Sequence, residues 1–219
     1  MNFDCEPILG SIEEMRSQMA KLSDKAWQEG IMRLAPSRLR SSGTLKSGNT
    51  DSWIQANIYI SEQVDQGRGV SMEGLLAINS ILNPHLNREP IRDQEIFLGP
   101  WQACPVKDLQ QSLEIFENTI LPNEAGRHPL IHAALVQFHL VSLHPFWDGN
   151  GRTAVLAADW ILATHGYLPQ CFARQTDAVL AALKGREAQY SEERAVQKIL
   201  KNIYYSYELC LGETFRSFQ

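Results

Sequence analysis

Apolar positions along most of this chain recur at helical spacing. Residues 11 to 29 read as an amphipathic helix with Ile12, Met15, Met19 and Leu22 as a core-facing stripe and Ser11 and Glu14 placed for a capping box. The polar stretch from 35 to 51 predicts an interhelix loop. A helix is expected from Asp51 to Asp65, with Trp53, Ile54, Ile58 and Ile60 apolar and Gly67-Arg-Gly69 ending it. The next runs from Ser71 to Leu82, with Ser71 as N-cap and Pro84 just past its end. Glu95-Ile-Phe-Leu-Gly99, followed by Pro and Trp, predicts a short β-hairpin. Val106 to Ile120 reads as helix. Residues 130 to 143 place apolar side chains at 131, 134, 135, 138 and 141, and residues 153 to 164 are rich in Ala and Leu with no Gly or Pro, so both predict helix. Helices over 176 to 184 and 191 to 211 complete the pattern, the last carrying Ile199, Ile203, Tyr204 and Leu209. There is no internal repeat and no low-complexity tract.

Size and charge narrow the class. At 219 residues the chain can bury one sizeable core. The division expected is an N-terminal helix and loop over 1–50, packed on a single core unit over 51–219. A net charge of −5 with no basic cluster argues against a nucleic-acid surface. Cys5, Cys104, Cys171 and Cys210 are widely separated and lack zinc-ligand spacing, so they read as buried or half-buried thiols in a reducing compartment. No apolar run approaches the ~18 residues of a membrane span, and the N-terminus lacks a secretory pattern. A cytoplasmic protein is expected, with export as an effector still open.

The two helical stretches around 137 and 158 are separated by His144-Pro-Phe-Trp-Asp-Gly-Asn-Gly-Arg152, where the candidate chemistry gathers. This loop feeds a helix N-terminus, whose free N–H groups and positive dipole end favour an anion. Gly149 and Gly151 allow close approach of a phosphate, and Arg152 can add a charge-assisted fork to it. Asp148 can hold Mg²⁺, which takes one or two carboxylates and shares its other sites with phosphates and water; its bland alternative is an N-cap for the following helix. His144 is placed to take a proton from an attacking hydroxyl. Pro145 and Phe146 read as shaping the loop, and Trp147 has no assigned role. His128 and His132, four apart, lack the glutamate and third ligand of a zinc site and read as surface or capping histidines. His139 reads as partly buried packing. No Walker loop, Rossmann glycine run or serine elbow occurs.

These nine residues resemble the signature of the Fic (Fic/Doc) family, His-Pro-Phe-x-Asp/Glu-Gly-Asn-Gly/Lys-Arg-x-x-Arg, at every fixed position from 144 to 152. The likeness extends through Leu130 to Leu143 and through Gly166-Tyr-Leu-Pro169. It implies an all-α, Fic-type helical bundle with a small β-hairpin flap. It also implies transfer of AMP from ATP to a Ser, Thr or Tyr hydroxyl of a target protein, with Mg²⁺. Carried over by position, His144 is the general base, Asp148 the Mg²⁺ ligand, Gly149, Asn150 and Gly151 the anion cradle, and Arg152 the holder of the β- or γ-phosphate. Glu95, Ile96, Phe97, Leu98 and Gly99 fall on the flap, which pairs with an extended target segment, and Arg92 matches an arginine just before it.

One position departs. The family's second arginine, three residues after Arg152, is Val155 here. The Doc branch, which phosphorylates its target, also lacks it, although Doc-like loops carry Ala and Lys where this chain has Gly149 and Gly151. Transfer of UMP, phosphocholine or phosphate, or a non-catalytic module working with an antitoxin or other regulatory partner, are the alternatives. The family's inhibitory element, Ser/Thr-x-x-x-Glu-Gly/Asn, aligns in two ways, placing Lys46 or Ser47 where its glutamate belongs. Acid and arginine are absent together, so that lock is not expected to operate.

Overall fold

A helix that is apolar nearly all round has to sit inside a protein, and residues 129–143 form one. The computed structural model describes residues 5–41, 50–86, 89–98, 101–171 and 188–212. Among them are eight α-helices: α1 (Glu6–Met19), α2 (Asp24–Ser41), α3 (Thr50–Asp65), α4 (Met72–Leu82), α5 (Val106–Ile115), α6 (Pro129–Leu143), α7 (Asn150–Thr164) and α8 (Ala188–Leu211). A two-stranded antiparallel hairpin, β1 (Phe97–Leu98) and β2 (Trp101–Gln102), pairs Phe97 with Gln102 and Leu98 with Trp101. The expected all-α bundle with a hairpin is what forms. No helix among the described residues is long and apolar enough to cross a membrane.

The central pair is α6 and α7, joined by the 144–149 loop. From Leu130 to Phe138 every residue of α6 is buried. Around this pair α1, α2 and α8 close one side, where Ile12, Met15, Ala134, Ile161, Ile199, Ile203 and Tyr207 share one core. On the other side α3 and α4 set Trp53, Ile60, Ile78 and Leu82 against Leu156 and Trp160 of α7. Trp160 fits only because residue 74 is glycine, where a Cβ would stand 2.5 Å from its ring. Burial of this extent is the main source of stability.

The ends of the elements follow their capping chemistry. Ser71 accepts from Gly74 N, as its sequence position predicted. The expected helix over 11–29 is in fact two. The first starts earlier, with Pro7 in its opening turn, and stops at Met19; Ser11 lies inside it, its hydroxyl donating to the Pro7 carbonyl, so there is no capping box. After a turn at 20–22, Ser23 Oγ accepts from Ala26 N and opens α2. That helix then runs through 35–41, half of the expected loop, despite Pro36. Proline removes one amide donor, and here the helix carries it on an exposed turn. Arg38 holds the far end of α2 to the core, donating to Asp159 Oδ2 at 2.7 Å and Asn57 Oδ1 at 3.1 Å. The helix expected to reach Ile120 ends its last turn as a π-turn, Phe116–Ile120. The expected helix at 176–184, and Lys46 and Ser47 of the inhibitory-element alignments, lie outside the described residues.

Candidate active site

Helix α6 ends at His144, whose backbone turns left-handed (φ 49°, ψ 55°) while its N–H still donates to Leu140 O at 3.0 Å. The ring lies back on the helix, with Nδ1 3.4 Å from the carbonyl of Val141. A carbonyl only accepts, so Nδ1 carries the proton and the lone pair is left on Nε2. Burial lowers the pKa of His144 below the ordinary histidine value, and the charge on Arg92 acts the same way, against opposing pulls from the Val141 carbonyl and Asp148. The ring is therefore neutral near pH 7.

The loop that follows is closed by its own side chains. Phe146 is fully buried, and Asn150 brackets it, Oδ1 accepting from Phe146 N and Nδ2 donating to Phe146 O, both at 2.8 Å. The side-chain amide of Asn150 is thus engaged inside the loop, which leaves its backbone N–H as its group for an anion. Asp148 is not the N-cap of α7. Gly149 is, with φ 76°, and Asp148 Oδ1 accepts from its N–H at 2.6 Å. The first bond of α7 runs from Thr153 N to Gly149 O, so the N–H groups of Asn150, Gly151 and Arg152 precede it.

Sequence reasoning missed what holds this loop from outside. Asn79 and Asn83, from the end of α4, both donate to the Asp148 carbonyl, at 2.9 and 3.3 Å. Asn79 also reaches Thr153 Oγ1 at 3.0 Å, and Asn83 Oδ1 accepts from Arg152 Nη2 at 2.9 Å. Gly149 packs against these amides so closely that a Cβ would stand 2.5 Å from Asn83 Nδ2. Its glycine is thus demanded by the chain itself. Gly151 differs: its φ is ordinary and a Cβ there would meet nothing within 4 Å. Arg152 lies 3.6 Å from Asp148 Oδ2, and the Asp148 side chain is 62% exposed. The sequence signal for Asn79 and Asn83 was two amides four apart at the end of an apolar helix.

Val155, at the position of the missing arginine, packs against the apolar cluster of α3, α4 and α7. Arg92 links the hairpin's root to the His144 turn, donating to both Cys104 O and His144 O. The hairpin's Phe97 is 64% exposed. Glu95, though exposed, braces the hairpin, Oε2 accepting from Gln102 Nε2 and Oε1 from Val106 N. Ile96 O accepts from Ala103 N at 3.0 Å; Gly99 and the side chain of Leu98 lie outside the described residues. Of the other histidines, His128 caps α6 by accepting from Leu130 N. His132 is buried rather than on the surface, bonded to the Ile120 carbonyl. His139 is partly buried near Glu192, and burial pushes its pKa down to about 4. Burial also raises the Cys171 and Cys210 thiols to about 11 and about 12, which keeps them unreactive.

A model of the Fic/DOC family matches residues 69–162. The chain is 28% identical over 210 residues to the uridine 5'-monophosphate transferase of Xanthomonas campestris pv. campestris (strain 8004), an alignment covering 86% of this chain and 39% of that protein. It is 28% identical over 123 residues to the protein adenylyltransferase Fic of Drosophila grimshawi, covering 53% of this chain and 25% of that one. The chain thus spans well under half the length of these curated relatives. Its structure is similar to that of a Fic domain-containing signaling protein from Bacteroides thetaiotaomicron VPI-5482, with a TM-score of 0.72 at 12% identity over 97% of this chain and 100% of that one.

Proposed function

We propose that this chain, which matches the Fic/DOC family model over residues 69–162 and shares its fold with a solved Fic protein, transfers AMP from ATP to a hydroxyl of a target protein. The observation that carries the reading is the pairing of a neutral imidazole, its Nε2 lone pair available, with an open helix N-terminus five residues later. The donor's phosphates lie against the N–H groups of Asn150, Gly151 and Arg152, with the Arg152 guanidinium alongside. The open space at Gly151 supports this seating, because nothing in the protein asks for glycine there. His144 takes the proton from the target hydroxyl as its oxygen attacks the α-phosphorus, and pyrophosphate leaves toward Arg152. The target segment lies along the hairpin, beside exposed Phe97.

The donor set at Asp148 fits Mg²⁺. It offers one exposed carboxylate, and among the described residues no cluster of three or more His, Cys, Asp or Glu forms a protein cage. That is what an ion sharing its shell with phosphates requires. Asp148 would hold the ion, which would neutralise charge on the donor phosphates.

A second reading is UMP transfer, favoured by the long alignment with the uridine 5'-monophosphate transferase. Incubating the protein and a cell lysate with α-labelled ATP, γ-labelled ATP or α-labelled UTP separates the readings. Label from α-ATP alone is the expected result. Label from UTP alone replaces AMP with UMP. Label from γ-ATP makes the protein a kinase, and no label from any of the three removes the enzymatic assignment to these donors.

A further inference from the structure

Arg92 plays no part in the chemistry above, yet it is only 2% exposed and its hydrogen bonds all run to backbone carbonyls. Nε donates to His144 O at 2.7 Å and Nη2 to Leu143 O at 3.3 Å, at the C-terminal end of α6. Nη1 donates to Gln94 O at 2.8 Å, and Nη2 also donates to Cys104 O. Gln94 and Cys104 flank the hairpin, one before β1 and one after β2. The backbone adds to this, with Arg92 N donating to Pro145 O at 2.9 Å and Ile91 bridging antiparallel to Phe146. Burying a cation is costly unless its donors are satisfied, and burial pulls this guanidinium below its ordinary pKa.

We propose that Arg92 is a positioning residue that ties the hairpin to His144, so that an acceptor segment paired with the hairpin and the imidazole that deprotonates it stay in one register. This rests on the reading of His144 as base and of the hairpin as docking edge. A hairpin of two residue pairs is marginal by itself, and its place relative to His144 must come from its root. The Ala103–Ile96 bond and the Glu95 bonds close that root and brace it on α5, but neither reaches α6. Arg92 does. Its rigid five-donor fork spans both sides, which a lysine's single ammonium on a flexible stem does not. Since proton abstraction needs the hydroxyl within about 3 Å of the base, a loose root costs rate rather than nucleotide affinity.

The test uses Arg92→Lys in the full chain and three readouts. The first is amide hydrogen exchange at Ala103 and His144. The second is the ¹⁵N signals of the His144 ring, and the third is Mg·ATP affinity beside labelling of a cell lysate from α-labelled ATP. The expected result is that both amides exchange roughly tenfold faster together and the ring signals shift. Lysate labelling falls about 10- to 100-fold, while the Kd for Mg·ATP stays within about threefold, because Asn79 and Asn83 hold the 148–152 turn from the other side. Amides that respond independently, unmoved ring signals, or affinity falling in step with labelling would overturn the coupling. If the wild type labels nothing in a cell lysate but the amides still respond together, the enzymatic reading fails and the coupling stands. Should Arg92→Lys not fold, Glu95→Ala removes both the Gln102 bond within the hairpin and the Val106 bond to α5, leaving the Arg92 contacts to α6 in place. His144 ring signals must then still move, and unchanged signals overturn the proposal.

Discussion

Asn83 Oδ1 accepts from Arg152 Nη2 at 2.9 Å, across 69 residues of chain. The same amide's nitrogen donates to the Asn79 and Asp148 carbonyls, at 3.0 and 3.3 Å. One buried asparagine therefore aims the guanidinium and fixes the peptide that follows the metal-binding candidate. An arginine set this way gives up no side-chain entropy when phosphate arrives.

Asn83→Ala should weaken Mg·ATP binding about tenfold and destabilise the fold by ~1–3 kcal/mol, since it leaves buried polar groups unpaired. Titration calorimetry and thermal melts measure the two effects. Unchanged affinity would mean that Arg152 does not need this partner.

His144→Asn removes the base but keeps a residue type that tolerates the left-handed backbone at this helix end. Labelling should fall ~10²–10⁴-fold with Mg·ATP affinity retained. The wild-type rate should be flat above the ordinary histidine pKa of 6.5 and decline only on its acid side, because the fold lowers this pKa and the neutral ring is the active form. A rate still rising above pH 7 would remove His144 from the role of base.

The two loop glycines should part company. Gly149→Ala forces a side chain into a φ of 76° and onto Asn83, and should lower Tm by several degrees. Gly151→Ala touches nothing in the protein and should leave Tm within about 1 °C. Any weakening of Mg·ATP binding by Gly151→Ala then reports on the ligand. If Gly151→Ala binds normally, the seating of phosphate against that backbone is wrong.

His139 makes a stability prediction. Its folded pKa is depressed to about 4 from 6.5, so its contribution is fully present above pH 6.5 and is lost as pH falls toward 4. Glu192, raised by its own burial, acts in the opposite sense. Comparison of wild type with His139→Gln isolates the histidine, and the variant's Tm should fall less steeply between pH 6.5 and 4. Parallel curves would show that His139 is not desolvated.

What was legible in the chain was local. Ser71 as a cap, the α6 and α7 periodicities and the hairpin at 95–99 each depend on neighbours within a few residues, and each formed where expected. Pro36 misled because α2 continues past it, with the proline on an exposed turn and the far end held by Arg38. Asn79, Asn83 and Arg92 act on partners more than fifty residues away, and no periodicity encodes that distance. That the Asn150 side-chain amide closes the loop around Phe146 was likewise not legible, because it depends on how the loop folds back on itself.

The Arg38–Asp159 contact reaches beyond α2. Asp159 sits two turns past Arg152 on α7, with a side chain only 5% exposed, and its cation comes from 121 residues away. The stretch matching the family model therefore lacks the counter-charge for a buried acid of its own. Cut free at residue 69, that stretch would keep a buried carboxylate whose Oδ2 has lost its guanidinium, and α7 would loosen. The N-terminal helices are a structural share of the fold that carries the candidate site.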